Sequence, residues 1–318
     1  MRLRNQSDLR EREKIVKLLL LLIMTTAVWS SSVVDSGLKH VLDVCFSKQN
    51  YYFLTNQGKV YVSEEGSYRS VDVPDGIIQI QGNSNSLFLL RKDGSVWEKN
   101  AKGLKLVDGG LPSIQILAQG HRLYLLKSSG GLSVYSKGML RNLLYDRNFE
   151  VIAPVGETQI FAIDSWGRLF RYDTYSEFVE MVDPSPNSVE LVSGGSTLYV
   201  KKKNATVSKF EDWQFHPVDF PVEVKTMAAD GDYLFLVDSQ DKLYEFNNAT
   251  HKLKEVNVEQ GCKSIRIAGG RLFILGVQGH MYELGLTQMR KTIQNQFHRF
   301  WLKSGFFPSN KGYSRSQY

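Results

Sequence analysis

The chain has 318 residues, 42% hydrophobic and 23% charged, enough apolar side chains for a sizeable core in a globular protein. Its net charge of +6 sits at the ends: residues 1–17 hold six basic and three acidic side chains and residues 286–318 hold six basic and none acidic, so 18–285 is left at −3. A mildly acidic body argues against a nucleic-acid partner, and two cysteines, Cys45 and Cys262, are too few for a disulfide framework.

Residues 18–29 form the longest apolar run, preceded by a charged leader and followed by Ser30, Ser31 and Ser32. A dozen apolar residues fall short of the roughly 20 of a membrane span. Small residues after the run, with Val28 and Ser30 placed for cleavage, fit a secretory signal peptide over 1–31. Because the leader is long and contains Asp8, Glu11 and Glu13, an uncleaved anchor over 18–34 is the alternative. The sequons at Asn204 and Asn248 fit the same secretory route, and both fall in turns.

From 33 to 285 one pattern recurs. Its clearest copy is Leu87-Phe88-Leu89-Leu90-Arg91-Lys92-Asp93-Gly94-Ser95-Val96-Trp97, an apolar strand, an Asp-Gly turn and a returning strand. Copies begin at Tyr51, Leu87, Leu123, Ile160, Leu198, Leu234 and Leu272, with spacings of 36, 36, 37, 38, 36 and 38 residues. An alternating strand such as Ile77-Ile78-Gln79-Ile80 precedes the hairpin, and a strand with a Val-Asp pair at Asp72, Asp108, Asp183 or Asp219 follows it. Such a period holds four short strands. A lone four-stranded sheet cannot bury both faces, so neighbours must stack, and a ring leaves no open end. The spacing predicts an all-β, seven-bladed β-propeller over 32–285. The seventh copy is not followed by a Val-Asp strand, whereas Val33-Val34-Asp35 precedes the first, so 32–37 is expected to close the ring. That closure brings the copies holding Cys45 and Cys262 together; two buried thiols and a bridge are both open, and the repeat alignment sets Val41, not Cys45, opposite Cys262.

Residues 286–303 change period. At 100° per residue Leu286, Met289, Ile293, Phe297, Phe300 and Trp301 share one arc, with Lys291, His298, Arg299 and Lys303 off it, although Arg290 falls inside the arc and Leu302 outside it, which predicts a basic amphipathic helix. Met289, Ile293, Phe297, Phe300 and Trp301 are the candidate contacts with a membrane or partner, or with the propeller itself. Gly305 ends the helix and a tail runs to 318.

The repeat consensus, Gly followed after two to four residues by Leu-Phe-x-Leu-x-x-x-Gly-x-Val-Tyr, is carried by Gly82–Trp97, Gly120–Tyr135, Gly156–Phe170, Gly194 onward and Gly269–Tyr282. It resembles the repeats of the regulator of chromosome condensation family and, equally, the tectonin repeats. The first resemblance implies a propeller but no nucleotide exchange, because Asn85 stands where that family's Gly-x-x-His-Ser signature has histidine. The second implies binding of glycans, lipids or proteins, with tyrosine or phenylalanine mostly replacing the recurrent tryptophan.

Metal, phosphate and nucleophile motifs do not stand out. The six histidines have no ligand spacing, and Asp93, Asp164, Asp238 and Asp241 occupy turns, where aspartate serves the backbone. Lys201, Lys202 and Lys203 read as a solvated hairpin end. The chain is therefore expected to be a non-enzymatic protein-interaction platform of the secretory pathway, without cofactor or metal, lumenal or secreted unless anchored. A glycan- or lipid-binding lectin-like propeller and a propeller hydrolase are the alternatives.

Overall fold

The computed structural model describes residues 34–285 except 65, 66, 146, 232, 249, 259 and 260, with backbone alone at 34–37 and 285. The leader or anchor at 1–31, and the tail with Met289, Ile293, Phe297, Phe300 and Trp301, lie outside the described residues.

Among the described residues the chain folds into seven four-stranded antiparallel sheets, the blades of a propeller. Blades 1 to 6 span 41–70, 77–108, 113–144, 149–183, 188–218 and 224–256, each with its strands paired in chain order. Blade 7 takes three strands from 262–285, and Val34–Lys39 pairs antiparallel with His280–Gly285, Val34 opposite Glu283. Every repeat copy identified in the sequence begins on the second strand of a blade.

The first strand of each blade is innermost and packs on the first strands of its neighbours, around to blade 1 against blade 7. Apolar side chains from adjacent blades interleave into seven cores. That between blades 7 and 1 contains Val41, Val44, Phe53, Ala268, Phe273 and Met281. Such burial is the main favourable term for stacked sheets, at about 25 cal/mol per Å² of apolar surface. Cys45 packs between blades 1 and 2 and Cys262 between blades 6 and 7, so both thiols are free, buried and in different cores.

Polar side chains join the blades as well. Gln79 clamps the backbone of the next inner strand, its Nε2 donating to Ile116 O at 3.0 Å and its Oε1 accepting from Ile116 N at 2.9 Å. Gln115 does the same to Ile152, Asp43 accepts from Ile80 N, and Glu190 accepts from Met227 N. These four occupy one repeat position. Arg266 closes the last seam with an ion pair to Asp43 at 3.4 Å.

The recurrent Val-Asp pair has a structural explanation. Asp108, on the outer strand of blade 2, is buried against Lys127 of blade 3, with 8% and 7% of their side chains exposed. The Lys127 ammonium also donates to Leu111 O at 3.1 Å and Ser113 Oγ at 3.2 Å. Asp183, Lys202 and Ser188 repeat the arrangement between blades 4 and 5. This corrects the reading of the lysine run: Lys202 is drawn between blades, Lys201 pairs with Glu190 at 2.7 Å, and Lys203 alone of the three is exposed.

Candidate interaction face

Antiparallel pairing gives the propeller two faces. Inner strands begin at the upper face, which also carries the turn between the second and third strands of each blade; they end at the lower face. At the upper face turns of blades 2, 3, 4, 6 and 7 are tied to the next inner strand. Ser113 N donates to Gly94 O at 2.9 Å, Ser188 N to Gly167 O at 2.9 Å, and His40 N to Gly279 O at 2.8 Å across the last seam. The recurrent glycine is required by that approach: a Cβ on Gly94, at φ +82°, would lie 2.4 Å from Pro112.

The start of every inner strand is irregular. Pairing with the second strand slips by one residue between its first and third positions in all seven blades. A bulge of this kind leaves one residue out of the ladder and re-aims its side chain. The residues concerned are Leu42, Ile78, Ile114, Glu150, Val189, Lys225 and Lys263. All are exposed, Leu42, Ile78 and Ile114 at 47% each and Val189 at 37%. They form a rim around the upper mouth of the axis, apolar over blades 1, 2 and 3 and cationic over blades 6 and 7.

Leu111, Tyr145, Trp166 and Val277 lie exposed in upper-face loops and turns beside this rim. Among the described residues, half of the sixteen exposed large apolar side chains therefore belong to the upper face. Six more of these, including Leu104, Met139 and Phe178, lie on the outer strands of blades 2 to 4, and of the sixteen only Tyr175 and Trp213 belong to the lower face. Soluble proteins seldom gather apolar side chains on one face without using them for binding. The exposed aromatics do not converge on one rim, and Trp213 is covered by the Arg171 guanidinium 3.8 Å from its ring centre.

The aspartates at the turns serve local structure. Asp93 accepts from Ser95 N and Oγ; Asp164 holds Trp166 N, Arg168 N and the Arg168 side chain; Asp238 holds Gln240 N, Lys242 N and Tyr244 OH. Asp241 pairs with Lys225 at 2.5 Å. At the lower end of the axis a cavity of about 530 Å³ opens between blades 7, 1, 2 and 3. Its walls include Cys45 and His121 but no carboxylate. Burial, then the neighbouring Asp43 charge, pushes the Cys45 thiol well above its ordinary value, so it stays protonated and is no nucleophile.

Asn204 is exposed on an upper turn of blade 5, its side-chain oxygen accepting from Thr206 N and Oγ1. Asn248, on a lower turn of blade 6, is half-buried and donates its Nδ2 to the Tyr199 hydroxyl. No group of side chains among the described residues could hold a metal ion. No helix among them is long and apolar enough to cross a membrane.

No protein-family model matches the chain, and no curated sequence matches it. Solved structures do. YCF48 from Cyanidioschyzon merolae aligns with TM-score 0.63 and 13% identity over 79% of this chain and 98% of its own. YCF48 bound to D1 peptide aligns at 0.61 and 10%, over 80% and 95%. The structure of Kap60 bound to yeast RCC1 (Prp20) aligns at 0.57 and 10%, over 77% and 80%. The likeness is one of fold. It carries the resemblance to regulator of chromosome condensation repeats as far as the seven-bladed propeller, and the propeller neighbours include proteins solved with peptide or protein partners.

Proposed function

We propose that the chain is a non-enzymatic interaction platform whose upper face takes an apolar segment of a protein partner. The observation that carries this reading is the rim: a bulge repeated in seven blades turns Leu42, Ile78 and Ile114 outward side by side. Neighbours of the same fold, solved with D1 peptide and with Kap60, support a peptide or protein as ligand. The division of exposed aromatics between the two faces favours a protein over a glycan.

The compartment follows the sequence. We place the propeller on the secretory route, delivered by 1–31 as a signal peptide or held by 18–34 as an anchor. Asn204 then offers its amide to glycosylation from blade 5, clear of the apolar arc, while Asn248 must first release Tyr199. In this reading Val34–Lys39 is the clasp that completes blade 7.

The rim is tested by quantitative affinity capture from the native host with the intact chain, with Ile78→Lys/Ile114→Lys, and with a flank control, Leu104→Lys/Met139→Lys. Proteins lost with the rim variant and retained with the control, at unchanged Tm, are expected. An identical set from all three, or loss with the flank control alone, refutes the upper face as the docking surface.

A further inference from the structure

The upper rim carries a second pattern, in its charges. Its bulges hold one residue per blade in the same geometry, so neighbours around the mouth differ only in chemistry. In ring order from blade 7 to blade 4 they are Lys263, Leu42, Ile78, Ile114 and Glu150. Three apolar side chains therefore lie between a cation at one end and an anion at the other, and all five are exposed.

The fold leaves both terminal charges unused. Lys263 is skipped by the ladder between Cys262 and Ser264, and Glu150 between Phe149 and Val151. Neither has an ion-pair partner among the described residues. Charges beside them are engaged within the protein: Lys225, the blade 6 member of the rim, pairs with Asp241 at 2.5 Å, Asp43 with Arg266 at 3.4 Å, and Glu190 with Lys201 at 2.7 Å. Arg147, exposed in the loop before blade 4, lies outside the ring of bulges.

Resting on the rim as the docking surface, we propose that the partner's segment is polarised to match this arc: an apolar stretch with acidic residues at one end, over Lys263, and basic residues at the other, over Glu150. Apolar burial holds such a segment, and the two charges set its direction and register. A segment with acidic or basic residues at both ends meets one like charge and is disfavoured. Sheets stacked face to face lie about 10 Å apart, so the three apolar positions span at most about 20 Å, about six residues of extended chain.

The probes are synthetic peptides of about twelve residues with one core of alternating leucine and serine. The first has glutamates at one end and lysines at the other, the second glutamates at both ends, the third lysines at both. Binding to the full-length chain is followed by fluorescence anisotropy. Exchanging one exposed attraction for one repulsion is worth about fivefold in Kd, so the mixed peptide should bind tightest by about that factor, the advantage fading towards about 1 M salt. Lys263→Glu should make the lysine-ended peptide the tightest and Glu150→Lys the glutamate-ended one, and the double exchange should restore the mixed peptide. The same ranking in wild type and both single variants overturns the proposal, as does binding of none of the three, which leaves the rim itself to the capture experiment. Ile78→Ser/Ile114→Ser, which changes no charge, separates the two readings. Binding lost in this variant, with a ranking indifferent to Lys263 and Glu150, refutes the charge bracket alone, and binding retained in it refutes the rim as well.

Discussion

The buried ion pair between blades 2 and 3 yields the sharpest stability prediction. Replacing Lys127 by Met keeps most of the side-chain volume but strips Asp108 of its counter-ion, leaving a carboxylate with 8% exposure and a backbone bond from Gly110 N at 3.0 Å. Burial draws the Lys127 pKa down to about 8, so at pH 7 the ammonium is still charged and the pair intact. Leu111 O and Ser113 Oγ lose their donor too. Removing one member of a buried pair costs about 3–5 kcal/mol, because the survivor remains desolvated. At about 2 °C per kcal/mol for a domain of this size, Tm should fall by about 6–10 °C. Replacing both members, Lys127→Met with Asp108→Leu, removes the stranded charge and should recover most of the loss. The assay is thermal unfolding at pH 7 followed by circular dichroism, read as a double-mutant cycle with wild type. A single-variant drop under about 2 °C, or additive losses in the double variant, would show that the pair is solvated and does not join the blades.

Further outcomes follow from named contacts. Gly130→Ala should destabilise far more than Gly138→Ala, although both glycines have positive φ: a Cβ on Gly130 lies 2.4 Å from the Asn148 backbone, whereas that on Gly138 meets nothing within 4 Å, leaving about 1–2 kcal/mol of left-handed strain; equal Tm losses would contradict the packing of this turn on blade 4. Burial works to raise the Glu98 carboxyl, but hydrogen bonds from Ser86 at 2.5 Å, from Tyr135 at 2.7 Å and from Asn100 hold it below its ordinary value of 4.5. Its stabilisation is therefore present above pH 4.5 and lost as pH falls through the lower folded value, and Glu98→Gln should flatten that acid limb in a Tm–pH series. Burial and the Glu98 bond push the Tyr135 phenol up to about 12, so its contribution is complete below pH 10 and lost as pH rises through 12; Tyr135→Phe should remove that alkaline limb. Deleting 34–37 should lower Tm by unzipping the fourth strand of blade 7, and an unchanged Tm would contradict the role of Val34–Lys39 as a clasp.

Much of the fold is legible because the repeat combines two strong local signals. Hairpins such as Leu87–Trp97 announce both strands and the turn, and the recurring glycine marks a place where backbone meets backbone. The upper rim is less legible. In Ile77-Ile78-Gln79-Ile80, alternation assigns Ile78 to the same face as the buried Ile80, yet Ile77 and Ile80 are buried and Ile78 is exposed. One inserted residue per inner strand shifts the face, and period-two reasoning has no term for a bulge. A signal existed in the repeat alignment: Asp43, Gln79, Gln115 and Glu190 share the next position, polar in an otherwise apolar strand, because they clamp the neighbouring blade. Lys202 was equally hidden, since its partner Asp183 lies nineteen residues away on another blade. The Val-Asp recurrence carried that partner without stating its purpose.

The central claim is that the upper rim over blades 1 to 3 is where a protein partner docks. Photo-crosslinking residues installed singly at 78, 114 and 139 of the full-length chain in its native host test it most directly. The account predicts covalent adducts to one common protein from positions 78 and 114 and none to that protein from 139 on the flank. Adducts from 139 alone, or different proteins at 78 and 114 with none in common, would contradict it.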